Sequence, residues 1–262
     1  MHRMTPIPLA VCLAVCLAAP LAAQANYEIQ IYPSRTADKG STLFELHSNH
    51  TGVGSTTMEN GLMRTDGAFH ETLEITHGFS DVFELGFYVF TTARAGDGFH
   101  VVGTHIRPRI RAPDSWTLPV GLSLSAEIGP TRRAFDAAEW SVELRPIIDQ
   151  TIGAFYWAFN PTIGWALKGD AAGRGYRGME FEPSGKVAWR FIPQASFGFE
   201  YYGATGTLDR MATSAAQQHM LYPTIDLFVS DDWEFNAGYG VQLAGSGDRN
   251  ILKVIVGRRF GF

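Results

Sequence analysis

Residues 233–243 read Trp-Glu-Phe-Asn-Ala-Gly-Tyr-Gly-Val-Gln-Leu, and their apolar and polar side chains alternate strictly. Side chains of a β-strand point to opposite faces in turn, so one face here is aromatic and aliphatic while the other is polar and rich in glycine. A strand of this kind is typical of a transmembrane β-barrel, with lipid outside and a polar interior. Residues 120–129 and 195–203 repeat the pattern, which predicts an all-β protein.

The same period of two predicts twelve antiparallel strands that close into one barrel. The predicted strands are 43–51, 67–77, 82–94, 99–111, 118–129, 138–148, 152–167, 178–191, 195–204, 217–229, 232–244 and 250–262. Their connections alternate between short and long, which is typical of barrels with short periplasmic turns and longer outer loops. Twelve strands should enclose a narrow lumen, between the filled interior of eight strands and the wide channel of sixteen.

A proline motif recurs at Pro108, Pro146, Pro183 and Pro223, at intervals close to the length of one hairpin, and supports the strand count. Proline lacks the N–H that a strand ladder needs, so it is normally confined to strand ends, edges and bulges. We therefore interpret these prolines as bulge positions, with strand breaks as the alternative.

The first 25 of the 262 residues have the features of a secretory signal peptide: Arg3, an apolar stretch at 9–19 and the sequence Ala-Gln-Ala at 23–25. Both cysteines, Cys12 and Cys16, lie in it; lipid attachment at one of them is the alternative interpretation. We expect residues 26–42 to form an N-terminal periplasmic segment and residues 43–262 to form the barrel. No apolar run after residue 25 reaches the roughly 18 residues of a transmembrane helix.

The last strand carries a resemblance to a known class. Residues 251–262 read Ile-Leu-Lys-Val-Ile-Val-Gly-Arg-Arg-Phe-Gly-Phe, an alternating strand that ends in an aromatic residue. It resembles the C-terminal strand of Gram-negative outer-membrane β-barrels, which the barrel-assembly machinery recognises by its terminal phenylalanine. The resemblance implies signal-peptide export, outer-membrane localisation, contact with outer-membrane lipid, and an assembly signal at Phe260 and Phe262. Residues 27–32 and 43–49 are more weakly similar to poorly characterised barrels grouped with transporters named after phenol-degradation pathways, and this similarity assigns no substrate.

Charged residues on the polar faces should point into the lumen, with acidic strands tending to neighbour basic ones. The predicted lumen charges are Glu45, Glu84, Arg107, Arg109, Glu127, Glu143, Arg145, Lys186, Arg190, Glu200, Glu234 and Arg259. Hairpin geometry places three opposite charges directly across from each other: Glu84 and Arg109, Lys186 and Glu200, and Glu234 and Arg259. Such pairs stabilise strand pairing by about 0.2–1 kcal/mol each, and they could also form a constriction that selects solutes.

These features predict an outer-membrane channel or transporter that passes a small solute through a narrow charged lumen. A non-transporting structural or surface barrel is the alternative, and a phospholipase-like enzyme is a less favoured one, because His47 and Ser48 are adjacent and should point to opposite faces. We predict no enzymatic activity and no cofactor. We predict no metal site, because the histidines are scattered without ligand spacing. The chain has 21 Lys+Arg against 26 Asp+Glu, an acidic balance that argues against a nucleic-acid partner.

Overall fold

The computed structural model describes residues 26–173 and 178–261, so the predicted signal peptide and Phe262 lie outside the described residues. The described chain is almost entirely β-strands and their connections, with one short 3-10 turn at Asp114–Trp116. The strands are β1 (Ser41–Val53), β2 (Phe69–Ser80), β3 (Phe83–Arg94), β4 (Gly98–Arg111), β5 (Gly121–Pro130), β6 (Ala138–Ile152), β7 (Phe155–Phe159), β8 (Thr162–Gly169), β9 (Glu180–Glu182), β10 (Ser184–Ile192), β11 (Ala195–Ala204), β12 (Gly206–Thr207), β13 (Arg210–Met211), β14 (Gln218–Leu227), β15 (Trp233–Gly245) and β16 (Arg249–Gly261). In this part of the chain, no helix has the length and hydropathy needed to cross a bilayer.

The strands form one closed antiparallel barrel, because β1 pairs with both β2 and β16. β7 and β8 both pair with β6 and together form the seventh barrel strand. β9 and β10 likewise form the eighth, while β12 and β13 make a small hairpin beyond the barrel wall. Counted in this way, the described residues form a twelve-stranded barrel, which confirms the prediction.

Alternation of side chains builds two different surfaces. In β15 the even-numbered Asn236 is buried, whereas the odd-numbered Tyr239 and Leu243 are exposed. In β1 the side chains of Glu45 and His47 are buried inside, whereas Phe44 and Leu46 point outward. The outward side chains leave a broad apolar surface, as a lipid-facing barrel requires.

Prolines act in two ways in the barrel wall. Pro108 and Pro223 lie within continuous strands and oppose Leu85 and Phe199. Pro161 and Pro183, in contrast, separate β7 from β8 and β9 from β10. The predicted bulges are therefore absent at Pro108 and Pro223, where the register is regular. The alternative, a strand break, occurs at Pro183, beside the break at Pro161.

The two ends of the barrel differ in their connections. The links β2–β3, β6–β7 and β10–β11 are two-residue turns at one end, called here the short-turn end, which also holds the longer connection 112–120. The opposite end, called the long-loop end, holds the connections 54–68 and 131–137. This asymmetry follows the predicted one.

Residues 26–38 run inside the barrel from the long-loop end to the short-turn end and are called the lumen segment. Ile29, Ile31 and Tyr32 are buried against the inner wall. This placement differs from the expected periplasmic one. Its physical reason is that the apolar side chains find cover among inward-facing residues of the strands.

Candidate functional site in the barrel lumen

The lumen segment is anchored first at the long-loop end. Asn26 Nδ2 donates to Thr51 Oγ1 (3.2 Å) and to the carboxylate of Asp248, which lies between β15 and β16. Asn49 Nδ2 donates to the carbonyl oxygen of Asn26 at 2.8 Å. Burial raises the pKa of the Asp248 carboxyl above its ordinary value, although Thr65 and Asn26 donate hydrogen bonds that act in the opposite direction.

A second anchor lies midway along the lumen, at the break between β7 and β8. The backbone N–H of Tyr32 donates to Asn160 Oδ1 at 2.7 Å, and Asn160 Nδ2 donates to the carbonyl oxygen of Tyr32 at 3.1 Å. The Asn160 side chain thereby satisfies both backbone groups of Tyr32 in a buried place. On the facing wall, Lys253 Nζ donates to the carbonyl oxygen of Ile29 at 3.0 Å.

A third anchor holds the segment at the short-turn end. The guanidinium of Arg109 donates to the carbonyl oxygens of Pro33 (2.8 Å) and Arg35 (3.1 Å). Ala37 N–H donates to a Glu84 carboxylate oxygen at 2.5 Å, and Ser34 Oγ donates to Asp149 at 2.5 Å. The barrel wall thus holds the segment by polar contacts along its whole length.

Arg107 is the centre of a first ionic cluster and is almost fully buried. Its Nη2 lies 2.5 Å from Glu74 Oε1 and its Nη1 lies 3.1 Å from Glu84 Oε1. Arg109 Nε donates to the same Glu84 oxygen at 2.7 Å, so the predicted pair of Glu84 and Arg109 is confirmed. The Arg107 guanidinium also lies 4.5 Å from the ring centroid of Tyr32 in the lumen segment, a cation–π distance.

Glu200 is the centre of a second cluster on the opposite part of the wall. Lys186 Nζ lies 3.1 Å from Glu200 Oε1 and 2.6 Å from Asp226 Oδ1. Lys253 binds the other carboxylate oxygen of Glu200, Oε2, and the Tyr202 hydroxyl donates to the same oxygen at 2.7 Å. The predicted pair of Lys186 and Glu200 is therefore confirmed, within a larger network.

A third cluster joins the lumen segment to β6. Arg145 lies 3.1 Å from Glu28 of the segment and 3.0 Å from Glu143. Glu127 faces Glu143 directly across β5 and β6, an arrangement of like charges that is unfavourable by itself. His105 Nδ1 contacts Glu127 Oε1 at 2.7 Å.

The third predicted pair is wrong. Glu234 opposes Gly257 rather than Arg259. Pairing of β15 with β16 stops at Gly240, and residues 241–245 pair only with β14. The centre of the β15–β16 hairpin therefore lies one residue before the predicted one. Moving the centre of a hairpin by one residue moves the partner of each residue by two, here from Arg259 to Gly257. A shift of two keeps every side chain on its face, so Glu234 still lies on the inner face.

The remaining predicted residues lie near the ends of the barrel or on the inner wall. Arg259 donates to the carbonyl oxygen of Asp231 at 3.1 Å. Arg190 is exposed at the short-turn end, where its guanidinium lies 4.1 Å from the ring centroid of Phe228. Glu45 is buried on the inner wall and faces Glu74 across β1 and β2.

The sequence analysis did not predict that Glu74 and residues 26–38 lie in the lumen, although the sequence contains a pattern that indicates each of them. Glu74 lies in phase with His70 and Thr72 on the polar face of β2. In the lumen segment, Ile29 and Ile31 alternate with polar residues, a pattern typical of an extended chain with one buried face. Ile29 and Ile31 are both buried.

One open cavity lies at the short-turn end. A cavity of about 460 Å³ there is lined by Ser34, Arg35, Arg111 and Asp149, among others. The lumen segment and the three ionic clusters lie farther into the barrel.

A closed twelve-stranded barrel with an apolar exterior and an ionic interior is a transmembrane β-barrel of the outer-membrane type. Comparison with solved structures agrees with this class. The COG4313 outer membrane channel from Pseudomonas putida F1 is similar, with a TM-score of 0.60 and 13% identity over 89% of this chain and 100% of that one.

Two porin structures are also similar. The NanC porin has a TM-score of 0.51 and 8% identity over 84% of this chain and 98% of its own. The KdgM porin in complex with disordered oligogalacturonate has a TM-score of 0.50 and 10% identity over 85% of this chain and 99% of its own. No family model and no curated protein matches the sequence. At these identities the likeness shows the fold, and the predicted resemblance to outer-membrane barrels is confirmed.

Proposed function

We propose that this protein is an outer-membrane channel or transporter that passes a small solute through its charged lumen. The observation that carries the proposal is the segment that lies inside the lumen. A non-strand segment, residues 26–38, runs along the lumen and is held by polar and ionic contacts. Such contacts can exchange with water, so the segment could move within a polar lumen without loss of strand pairing.

Structural neighbours support the same proposal. They are an outer membrane channel and two porins, and the channel matches over its full length. Their names assign no solute to this chain. Paired charges such as Lys186 and Glu200 would give the passage its selectivity if they line it.

A non-transporting structural barrel is the second candidate, and the ionic clusters favour it. Arg107 is buried against Glu74, and Lys253 is buried against Glu200; two buried ion pairs of this kind would make the interior rigid. An enzyme is not proposed, because His47 points into the lumen while Ser48 lies on the other face of β1, so these two residues do not form a phospholipase-like pair.

Conductance separates the two candidates. The purified barrel is placed in planar bilayers, and liposome swelling is measured with a panel of sugars, amino acids and aromatic acids. We expect discrete pore currents and faster swelling with part of the panel. A folded, inserted barrel that gives neither currents nor swelling would support the structural role instead.

Orientation in the membrane gives a further prediction. We propose that the long-loop end faces the outside of the cell and the short-turn end faces the periplasm. Met58→Cys and Ala215→Cys, in exposed long-loop positions, should react with a membrane-impermeant thiol reagent on intact cells. Ala154→Cys in a two-residue turn is the matched control and should react only after the outer membrane is permeabilised. The reverse labelling pattern would overturn this orientation.

Assembly gives another prediction, because the resemblance assigns the recognition signal to Phe260 and Phe262. Deletion of Phe262 should lower the amount of inserted, heat-modifiable protein several-fold, since the assembly machinery would lose the terminal aromatic side chain. Phe260→Leu is a milder comparison that keeps an outward apolar side chain. Normal insertion without Phe262 would argue against the assembly signal.

A further inference from the structure

Three potential metal ligands meet on the inner wall near the short-turn half of the barrel. Glu45 and His47 lie on β1 and Glu74 on β2, and one ligand atom from each lies within 4.8 Å of the others. All three side chains are fully or almost fully buried. The spacing of residues along the sequence does not reveal this cluster, because Glu74 lies on a different strand from Glu45 and His47.

The imidazole of His47 is the first sign of a missing ligand. Neither Nδ1 nor Nε2 has a hydrogen-bond partner among the described residues, although the ring is fully buried. A buried polar group without a partner costs about 1–3 kcal/mol, so such groups usually bind a partner of some kind. Glu74 Oε2 lies 3.5 Å from His47 Nε2.

Charge is the second sign. Glu45 and Glu74 face each other directly across the β1–β2 ladder, and like charges in this position destabilise strand pairing. Arg107 binds Oε1 of Glu74, which leaves Oε2 turned toward His47, where it accepts a long hydrogen bond (3.3 Å) from the Tyr32 hydroxyl. Glu45 accepts a hydrogen bond from the neutral amide of Gln30 at 3.2 Å.

A second carboxylate lies close to Glu45 on its other side. Gly257 opposes both Glu45 and Glu234, and a side chain there would approach the Glu45 Cγ to 2.9 Å and the Glu234 Cβ to 3.2 Å. The glycine therefore lets two carboxylate side chains share the space. Gln30 Oε1, from the lumen segment, is a further buried oxygen without a partner in the described part of the chain.

We propose that Glu45, His47 and Glu74 bind a divalent transition-metal ion, with zinc as the expected class. Carboxylate oxygens and an imidazole nitrogen are donors that zinc accepts, at about 2.0–2.2 Å, and the three ligand atoms here already lie within 4.8 Å of one another. The imidazole disfavours calcium and magnesium, which take oxygen ligands. The ion would neutralise the charges of the two facing carboxylates and give the His47 imidazole a partner. It would also lie next to Gln30 of the lumen segment.

Metal binding is tested on the purified full-length barrel in detergent. The protein is stripped with EDTA and titrated calorimetrically with zinc chloride, and the metal content is then measured after gel filtration. We expect one zinc ion per chain for the wild type. Cobalt(II) added to the stripped protein should give visible absorption bands, and excess magnesium should displace neither ion.

Matched variants locate the site. His47→Gln and Glu45→Gln should each weaken zinc binding by roughly tenfold or more and remove the cobalt bands. His219→Gln is the control, because His219 is partnered by Tyr201 at 2.7 Å and lies away from the cluster. Heat-modifiability on gels verifies that each variant is folded; if His47→Gln does not insert, Glu45→Gln decides.

Two outcomes would overturn the proposal. One is a folded wild-type barrel that binds no zinc, in which case water satisfies His47. The other is zinc binding that survives both His47→Gln and Glu45→Gln but falls in His219→Gln, which would place the ion on surface histidines.

Discussion

Deleting residues 27–37 of the lumen segment should raise the single-channel conductance of the purified barrel several-fold. The segment occupies the axis from Asn26 at the long-loop end to Ala37 at the short-turn end. Its removal leaves every strand ladder intact, because none of its residues belongs to a strand. Water can then hydrate the inward-facing side chains that the segment now contacts. Planar-bilayer recordings measure the change directly.

A crosslink supplies the control for this deletion. Asn26→Cys and Thr51→Cys place two thiols where the native side-chain atoms are 3.2 Å apart, and the chain has no cysteine beyond Cys12 and Cys16 of the predicted signal peptide. Bridging the two thiols with a short bifunctional reagent should hold the conductance at or below the wild-type value, whereas either single variant should be unaffected. A folded deletion variant that conducts no better than the wild type would show that the strand side chains close the lumen by themselves.

The barrel wall was predictable because its information is local. Each strand alternates between lipid and lumen, so residues such as Tyr239 and Asn236 reveal their faces without any knowledge of distant contacts. Hairpin arithmetic then gives partners for neighbouring strands, and it places Glu84 opposite Arg109 correctly. It fails for Glu234 because the outer part of β15 pairs with β14 alone.

The filling of the lumen was less predictable because its contacts join elements that are not neighbours. Arg107 on β4 reaches Glu74 on β2, past the intervening β3. No hairpin relation connects those two positions. The lumen segment is a stronger case, since it meets β1, β4, β6 and β16 at once, and only closure of the barrel creates that interior.

This network also changes what a charge swap should do. Exchanging Glu84 and Arg109 preserves their mutual attraction but places an arginine at position 84 beside Arg107, which now donates to Glu84 at 3.1 Å. It also removes the carboxylate that accepts the Ala37 N–H. The swap should therefore rescue Arg109→Glu only in part, as measured by the yield of heat-modifiable barrel.

Arg107→Met should be the most destabilising single substitution in the lumen, by about 3–5 kcal/mol, the usual effect of removing one partner from a buried ionic network. Arg107 is 1% exposed and bridges Glu74 and Glu84. Methionine keeps much of the side-chain volume but removes the guanidinium that binds Glu74 Oε1, while Glu84 keeps Arg109. The free energy of unfolding is measured by urea titration of the barrel in liposomes.

The matched control is Arg111→Met, which makes the same chemical change at the short-turn end. Arg111 pairs with Asp114, whose side chain is 86% exposed, and exposed pairs of this kind contribute little to stability. Adding Glu74→Gln to Arg107→Met should recover part of the lost stability, because the carboxylate left without a cation is then neutral. Equal effects of Arg107→Met and Arg111→Met would mean that water hydrates the Arg107 site and that the lumen is already open to solvent.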